Sequence, residues 1–199
     1  EISLGLVGSE MCIRDRVRRK IVEGDDKKKG QGKTTSQEIN PNIVFDRLEQ
    51  LNIRTTTHEH PPLFTVEDSK KLRGDLPGLH CKNLFLRAKK TEMWLVVCRE
   101  DLKIDLKVLG QKLGGSRLSF GSSDRLLNFL GVMPGSVSPF ALINDDNVAV
   151  KVVLDKDMME GSLLNFHPLT NEKTTSIKPS DLLKYISSCG HEFEVLDLN

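Results

Sequence analysis

Two short apolar runs, 82–88 and 93–98, set the first constraint on this chain. Only Lys89-Lys90-Thr91-Glu92 separates them. Short apolar runs divided by a polar turn read as the two strands of a hairpin. A two-stranded ribbon is marginal by itself, so further strands must extend it. The last third of the sequence supplies candidates. Runs 140–143 and 148–154 flank Asn144-Asp145-Asp146-Asn147, and runs 163–167 and 174–177 flank Pro168-Leu169-Thr170-Asn171. Both tetrapeptides are turn signals. Residues 193–198 read as a final strand, 53–58 as an earlier one stopped by Pro61-Pro62, and 117–120 as a short one.

Helical patterns are interspersed. Val44, Phe45, Leu48 and Leu51 recur at helical spacing, predicting a helix over 42–52. Thr65 and Asp68 suggest a start, and Gly74 an end, for a helix over about 66–73. Leu106, Leu109 and Leu113 predict one over 105–113, ended by Gly114-Gly115. Ser122 or Ser123 caps a helix carrying Leu126, Leu127 and Leu130, which Gly131 closes. Pro179, Ser180 and Asp181 open a last helix that Gly190 ends. Strands and helices alternate irregularly and without a βαβ repeat, which predicts an α+β fold with a mixed sheet.

The N-terminal part is different in kind. Leu6-Val7-Gly8-Ser9-Glu10-Met11-Cys12-Ile13-Arg14-Asp15 resembles a translated transposase adapter from sequencing-library preparation, so roughly the first sixteen residues are set aside. Residues 25–36 are charged and Gly-rich with few apolar side chains, which predicts disorder. The expected domain division is therefore 1–40, disordered or artefactual, and 41–199, folded. Gly30-Gln31-Gly32-Lys33-Thr34-Thr35 ends like a phosphate-binding P-loop. The position that needs the first glycine is Lys27, however, and no apolar strand precedes it.

Charge narrows the partners. Residues 1–40 hold nine of the 29 Lys/Arg and seven of the 28 Asp/Glu, leaving 20 against 21 in the remainder, a net of −1. A near-neutral body does not grip long stretches of nucleic acid. Any RNA contact must be local, and the candidate cations are Lys82, Arg87, Lys89, Lys90, Arg117 and Arg125. No apolar run approaches the length of a membrane span; Trp94–Cys98 is among the longest. Four scattered cysteines without a C-x-x-C pair fit reduced thiols in a cytoplasmic protein.

Candidate chemistry concentrates in three places. Lys82-Asn83 opens the first hairpin strand. Alone, a lysine there reads as a solvated surface residue. Before a run that should be buried, its ammonium can stand at a pocket mouth and pair with a phosphate or an ester carbonyl, with Asn83 hydrogen-bonding the same ligand. Pro134-Gly135-Ser136-Val137-Ser138-Pro139-Phe140 reads as a turn leading into an apolar strand. His167 is either a hydrogen-bonded turn histidine or a group that orients substrate or carries a proton; His80 is a weaker candidate of that kind. Other hydrolase classes fit less well. Gly135-Ser136-Val137-Ser138-Pro139 lacks the second glycine of a nucleophile elbow. His58-Glu59-His60-Pro61-Pro62 has the wrong spacing for a zinc site. Cys81, beside Lys82, is a conceivable activated thiol.

Taken in order, His60-Pro61-Pro62-Leu63-Phe64-Thr65-Val66, Leu76-Pro77-Gly78 with Lys82-Asn83-Leu84-Phe85-Leu86, Leu118-Ser119-Phe120-Gly121-Ser122, Pro134–Phe140 and Asn165–Asn171 resemble the YbaK family of aminoacyl-tRNA editing domains. The likeness is greatest to its free-standing branch related to the insertion domain of bacterial prolyl-tRNA synthetase, and it spans about 41–199. It implies a mixed, partly barrel-like sheet with surrounding helices. The implied activity is hydrolysis in trans of the ester joining a noncognate amino acid to tRNA(Pro), with alanine first and cysteine as the alternative. A module that binds tRNA or a synthetase without hydrolysis is the rival from another class.

By that resemblance Lys82 is required for deacylation and positions the terminal adenosine, with Asn83 in support. Gly135 and the backbone of the loop through Ser136, Val137, Ser138 and Pro139 shape the amino-acid pocket and receive the oxyanion. His167, and less so His80, orient substrate. Related domains commonly carry threonine at the position of Cys81, which argues against a nucleophilic thiol. The implied partners are the acceptor end of mischarged tRNA(Pro) and, further, prolyl-tRNA synthetase, with no DNA, membrane, metal or organic cofactor. No general base is legible in the sequence.

Overall fold

The computed structural model describes residues 40–62, 76–89 and 92–199. The expected helix over 66–73, almost all of the 1–40 segment, and Lys90-Thr91 of the hairpin turn lie outside the described residues.

Helix α1, Asn42–Gln50, buries Val44 and Leu48, which one helical turn brings to the same face. Its Arg47 guanidinium donates to the Ser188 carbonyl at 2.7 Å, tying it to the far end of the chain. Strand β1, Thr56–Glu59, follows, and then β2, Leu79–Arg87, and β3, Met93–Arg99. The last two form the expected hairpin, in continuous antiparallel register from Cys81↔Arg99 to Arg87↔Met93.

Helix α2, Leu106–Lys112, starts where the Asp105 carboxylate accepts the backbone N–H groups of Lys107 and Val108. The two-residue β4, Ser119–Phe120, precedes α3, Ser123–Leu130. The Ser122 hydroxyl accepts the Arg125 N–H, and Gly131 ends the helix in the left-handed region at φ 63°, as the sequence predicts.

The run expected as a strand over 140–143 is instead a 3₁₀ helix, Pro139–Asn144. Pro139 sits at its first turn, where its missing N–H costs nothing. The Phe140 carbonyl is taken by the buried Tyr185 hydroxyl at 2.9 Å rather than by a neighbouring strand. Strand β5, Val150–Asp155, leads directly into a single helical turn, α4, Lys156–Met159, capped by the Asp155 carboxylate on Met158 N–H. Strands β6, Leu164–Phe166, and β7, Lys173–Ile177, precede helix α5, Pro179–Ser188, and β8, Phe193–Leu196, completes the chain.

All eight strands join one mixed sheet in the order β1-β7-β6-β2-β3-β5-β8, with β4 on β2. Successive side chains alternate between two faces. On the inner face Phe85, Met93, Leu95, Val97, Val152, Leu154, Leu164, Phe166 and Ile177 join the helices in the main core. On the outer face Leu86, Trp94, Val96, Cys98 and Val153 form a second cluster with Leu109 and Leu118. The α+β fold with surrounding helices follows from these two layers.

Strand β2 is where the sheet divides. One of its edges is filled by β3. The other pairs with β6 at Leu79↔Leu164 and His80↔Asn165, and with β4 at Leu86↔Phe120 and Arg87↔Ser119. Between these pairings, among the described residues, no strand covers Lys82–Leu84 on that edge.

The N-terminus of β5 is clamped by two buried side chains. Asp145 Oδ2 accepts the Val150 N–H at 2.8 Å, and His191 Nδ1–H donates to the Val150 carbonyl at 3.0 Å. Removing the carboxylate strands a buried N–H. Asp145→Ala is therefore expected to lower the unfolding free energy by about 1–3 kcal/mol in urea denaturation. Asp146→Ala, at an exposed position, should change it by less than about 0.5 kcal/mol.

Candidate functional site

Strand β2 carries three of the residues singled out by sequence, His80, Lys82 and Asn83, at or beside its uncovered stretch. Leu79 N–H bonds the Leu163 carbonyl, and the Phe85 carbonyl accepts Gly121 N–H, so odd-numbered residues turn their backbone groups to the divided edge. Asn83, midway between, directs its N–H and C=O into the notch between β6 and β4. Strand β6 runs parallel to β2. Their pairing runs from Leu79↔Leu164 to His80↔Asn165, and His167 follows one residue past the end of β6.

Alternation separates the lysine and the asparagine. Leu84 and Leu86 belong to the outer cluster, while Cys81 and Phe85 pack in the main core. Lys82 therefore points outward and Asn83 inward, and their side chains cannot close on one group as a single clamp. The Lys82 ammonium donates to the Glu100 carbonyl at 3.2 Å and also to the Leu102 carbonyl. Its stem crosses the sheet face and its charge is held by the loop after β3. On the inner side, Asn83 Oδ1 is buried with no hydrogen-bond partner among the described residues.

The loop before the 3₁₀ helix lies on the inner side as well, with Val137 packed against the main core. Gly135 holds φ at 96°, and a Cβ there would meet no atom within 4 Å. Backbone conformation, not crowding, requires the glycine. The Ser136 N–H closes the turn on the Met133 carbonyl at 3.0 Å, so it is committed. Ser138 is fully buried, and its Oγ, like Asn83 Oδ1, has no partner. Pro139 then starts the 3₁₀ helix. The loop and Asn83 thus share one face of the sheet, and Lys82, His80 and the position of His167 share the other.

His167 is held closely. Its Nδ1–H donates to the Lys173 carbonyl at 2.8 Å, which leaves Nε2 as the lone-pair nitrogen. Burial lowers its pKa, the Lys173 carbonyl opposes that shift, and His60 adds to it. The imidazole is thus a neutral base at pH 7. His60 packs edge-on against it at 5.9 Å between ring centroids. Thr174 Oγ donates to His60 Nε2 at 2.9 Å, and His60 Nδ1–H donates to the Pro61 carbonyl. Asn165 is buried beside this pair. It accepts the Ser176 hydroxyl at 2.6 Å and donates to the Pro77 carbonyl at 3.1 Å.

The support that His60, Thr174 and Ser176 give is absent from the sequence reading. Its one signal was position: His60 opens, and Asn165 and His167 occupy, segments that carry the family resemblance. No thiol here is a nucleophile. Burial raises the Cys81 pKa far above the ordinary thiol range, and pushes Cys98 up to about 12 despite Lys82 nearby. Among the described residues no three His, Cys, Asp or Glu side chains group as metal ligands, and no helix is long and apolar enough to cross a membrane.

A model of the aminoacyl-tRNA editing domain matches residues 60–185, from His60 through β7 into α5. The chain belongs to the aminoacyl-tRNA editing domain family. The prolyl-tRNA editing protein ProX of Acetoanaerobium sticklandii is 40% identical over 156 residues, which cover 78% of this chain and 95% of that protein. Prolyl-tRNA synthetase associated domain-containing protein 1 of Mus musculus is 39% identical over 158 residues, covering 77% and 93%. A crystal structure of a proposed trans-editing enzyme for prolyl tRNA synthetase superposes with a TM-score of 0.59 at 18% identity, covering 84% of this chain and 100% of that one. That likeness shows the editing-domain fold. Membership carries the reaction class expected from the sequence, deacylation of aminoacyl-tRNA.

The loop geometry makes its own prediction. Gly135→Asn should cost less stability than Gly135→Val, because asparagine tolerates positive φ and a β-branched residue does not. The valine variant is expected to lose about 1–2 kcal/mol, read as the difference between the two thermal denaturation curves.

Proposed function

We propose that this protein hydrolyses the ester linking a noncognate amino acid to tRNA(Pro), acting in trans and preferring alanine. The observation that carries the reading is the pair of buried, unpartnered polar atoms on the inner face, Asn83 Oδ1 and Ser138 Oγ. Each such atom calls for a partner, water or ligand; three others among the described residues, on Trp94, Asp155 and His191, lie outside the candidate site. An aminoacyl ester brings suitable groups: an α-ammonium to donate to Asn83 and a carbonyl to meet the loop.

In this mechanism water adds to the ester carbonyl carbon, and the resulting oxyanion is received by loop N–H groups. Ser136 N–H is already bonded within the turn, so those of Val137 and Ser138 take that role. The substrate's free ribose hydroxyl relays the proton of the attacking water to the departing ribose oxygen, while neutral His167, on the outer face with Lys82, orients the 3′-terminal nucleotide. The products are the free amino acid and tRNA with its terminal hydroxyls restored. Lys82, on the outer face, holds the 3′-terminal nucleotide as a point charge, and His80 lies beside it on the same strand face. No protein nucleophile is used, in keeping with the protonated state of Cys81.

Such a step answers a selectivity problem. A synthetase pocket separates amino acids differing by a methylene or two by only about 1–3 kcal/mol. A second pocket too small for proline removes the smaller intruder. Cysteine, also small, is the competing substrate, and prolyl-tRNA synthetase is the natural source of the mischarged species.

Rates of deacylation of Ala-, Cys- and Pro-tRNA(Pro) test this directly. Alanine is expected to leave fastest, proline to be retained, and Lys82→Ala to reduce the alanine rate by at least about 100-fold. Preferential loss of cysteine moves the substrate, and hydrolysis of none of the three sinks the proposal. The pH profile has a definite sign. His167 is competent when neutral, and burial lowers its pKa. Thus kcat/KM should be level through neutrality and decline only below the ordinary histidine value of about 6.5. His167→Gln should remove that decline along with most of the rate.

A further inference from the structure

The candidate cations named from the sequence include two, Arg87 and Arg117, that the deacylation site leaves unused. Arg117 lines an open groove of about 570 Å³ with Lys107, Gln111, Gly115 and Ser116, over Leu118. No carboxylate of a described residue lines it. Neither Lys107 nor Arg117 forms an ion pair with a described residue. Asp105, next in sequence to the groove, turns its carboxylate into the N–H groups of Lys107 and Val108. That contact caps α2, so the helix end offers a ligand nothing. The groove's ligand-binding groups are two cations, an amide and a hydroxyl. Residues 41–199 as a whole carry a net charge of −1, so this local excess of positive charge is not a general property of the surface.

Its position connects it to the notch. Arg117 and Leu118 lead straight into β4, whose Ser119 pairs with Arg87 and whose Phe120 pairs with Leu86. Arg87 is exposed and also makes no ion pair with a described residue. From Leu86 back to Asn83 is three strand residues, about 10 Å. Cations thus run from the groove along β4 to the border of the site.

We propose that this groove binds the RNA phosphate backbone and seats the helical part of the tRNA while its 3′ end reaches the notch. The choice of RNA rests on the deacylase reading; the anion-binding character rests on the groove alone. Lys107 acts as a point charge, and Arg117 and Gln111 supply directed donors to phosphate oxygens.

Binding of uncharged tRNA(Pro) to the full chain and to Lys107→Gln/Arg117→Gln, followed by fluorescence anisotropy across a salt series, isolates the groove from the chemistry. Both side chains are exposed, and equal thermal denaturation curves establish that the variant is folded. The double variant is expected to bind roughly tenfold more weakly, with the slope of log K against log salt reduced by about two. In deacylation the same change should raise KM for Ala-tRNA(Pro) and leave kcat alone. It should leave hydrolysis of alanyl-adenosine, which has no helix, unchanged. Unaltered affinity and salt slope in the variant would overturn the groove while leaving the deacylase reading intact. No hydrolysis by the wild-type protein, with salt-sensitive and groove-dependent tRNA binding, would overturn the deacylase reading and uphold the groove. Failure of the wild-type protein to bind tRNA at all overturns the groove proposal.

Discussion

Strand β2 is the constraint on which the rest of the structure depends. Among the described residues it is the only strand shared by the two halves of the sheet, with β3 along one edge and β6 and β4 dividing the other. A strand with two different partners on one edge must leave a gap where they part, and there its backbone hydrogen-bonding groups are uncovered. Elsewhere in the interior that arrangement would be a defect, because an unpaired peptide group costs as much as a lost hydrogen bond. Here it supplies oriented donors and acceptors at a fixed place. The flanking residues are locked by seven consecutive pairs to β3, so the gap does not close by local adjustment.

Strand alternation then determines what that place can do. Adjacent residues on β2 serve opposite faces, so Lys82 and Asn83 divide the work between a charged outer side and a neutral inner side. The inner side has buried neutral polar atoms, Asn83 Oδ1 and Ser138 Oγ, without partners among the described residues. The outer side has a cation held by carbonyls rather than by a carboxylate. A carboxylate partner would cancel the charge that the proposed contact with the tRNA end requires. Carbonyl dipoles hold the ammonium in position and leave its net charge in place. The same logic covers the titratable groups: burial keeps Cys81, Cys98 and Tyr185 in their neutral forms and keeps His167 unprotonated. The site relies on placed neutral groups rather than on an ionised nucleophile.

The sequence made the local elements legible and the site only in part. The hairpin, the Ser122 and Gly131 caps of α3, and the Pro179 start of α5 are all written in nearest-neighbour chemistry, and the structure has them within a residue or two. The 3₁₀ helix at Pro139–Asn144 was hidden because Phe140-Ala141-Leu142-Ile143 is apolar enough for a buried strand; only the distant Tyr185 hydroxyl shows where its carbonyl goes. The four-residue α4 was too short to carry a period. For the site, family resemblance singled out Lys82, Asn83, the Gly135 loop and His167, but a linear reading treats neighbours as partners. That Lys82 and Asn83 face apart, and that the strand leading to His167 lies beside β2, are facts of register. Register depends on β6 lying beside β2, a pairing between residues 85 positions apart.

The same topology explains how a near-neutral domain can handle a polyanionic substrate. A uniformly basic surface would hold any RNA, charged or spent, and release of product would be slow. On the proposed reading, cations on the outer face of β2, at the β4 edge and in the groove beyond it make a short electrostatic contact whose strength falls steeply with salt. On the same reading discrimination falls to the inner face beside the main core and affinity to the outer one, so a change in one need not disturb the other.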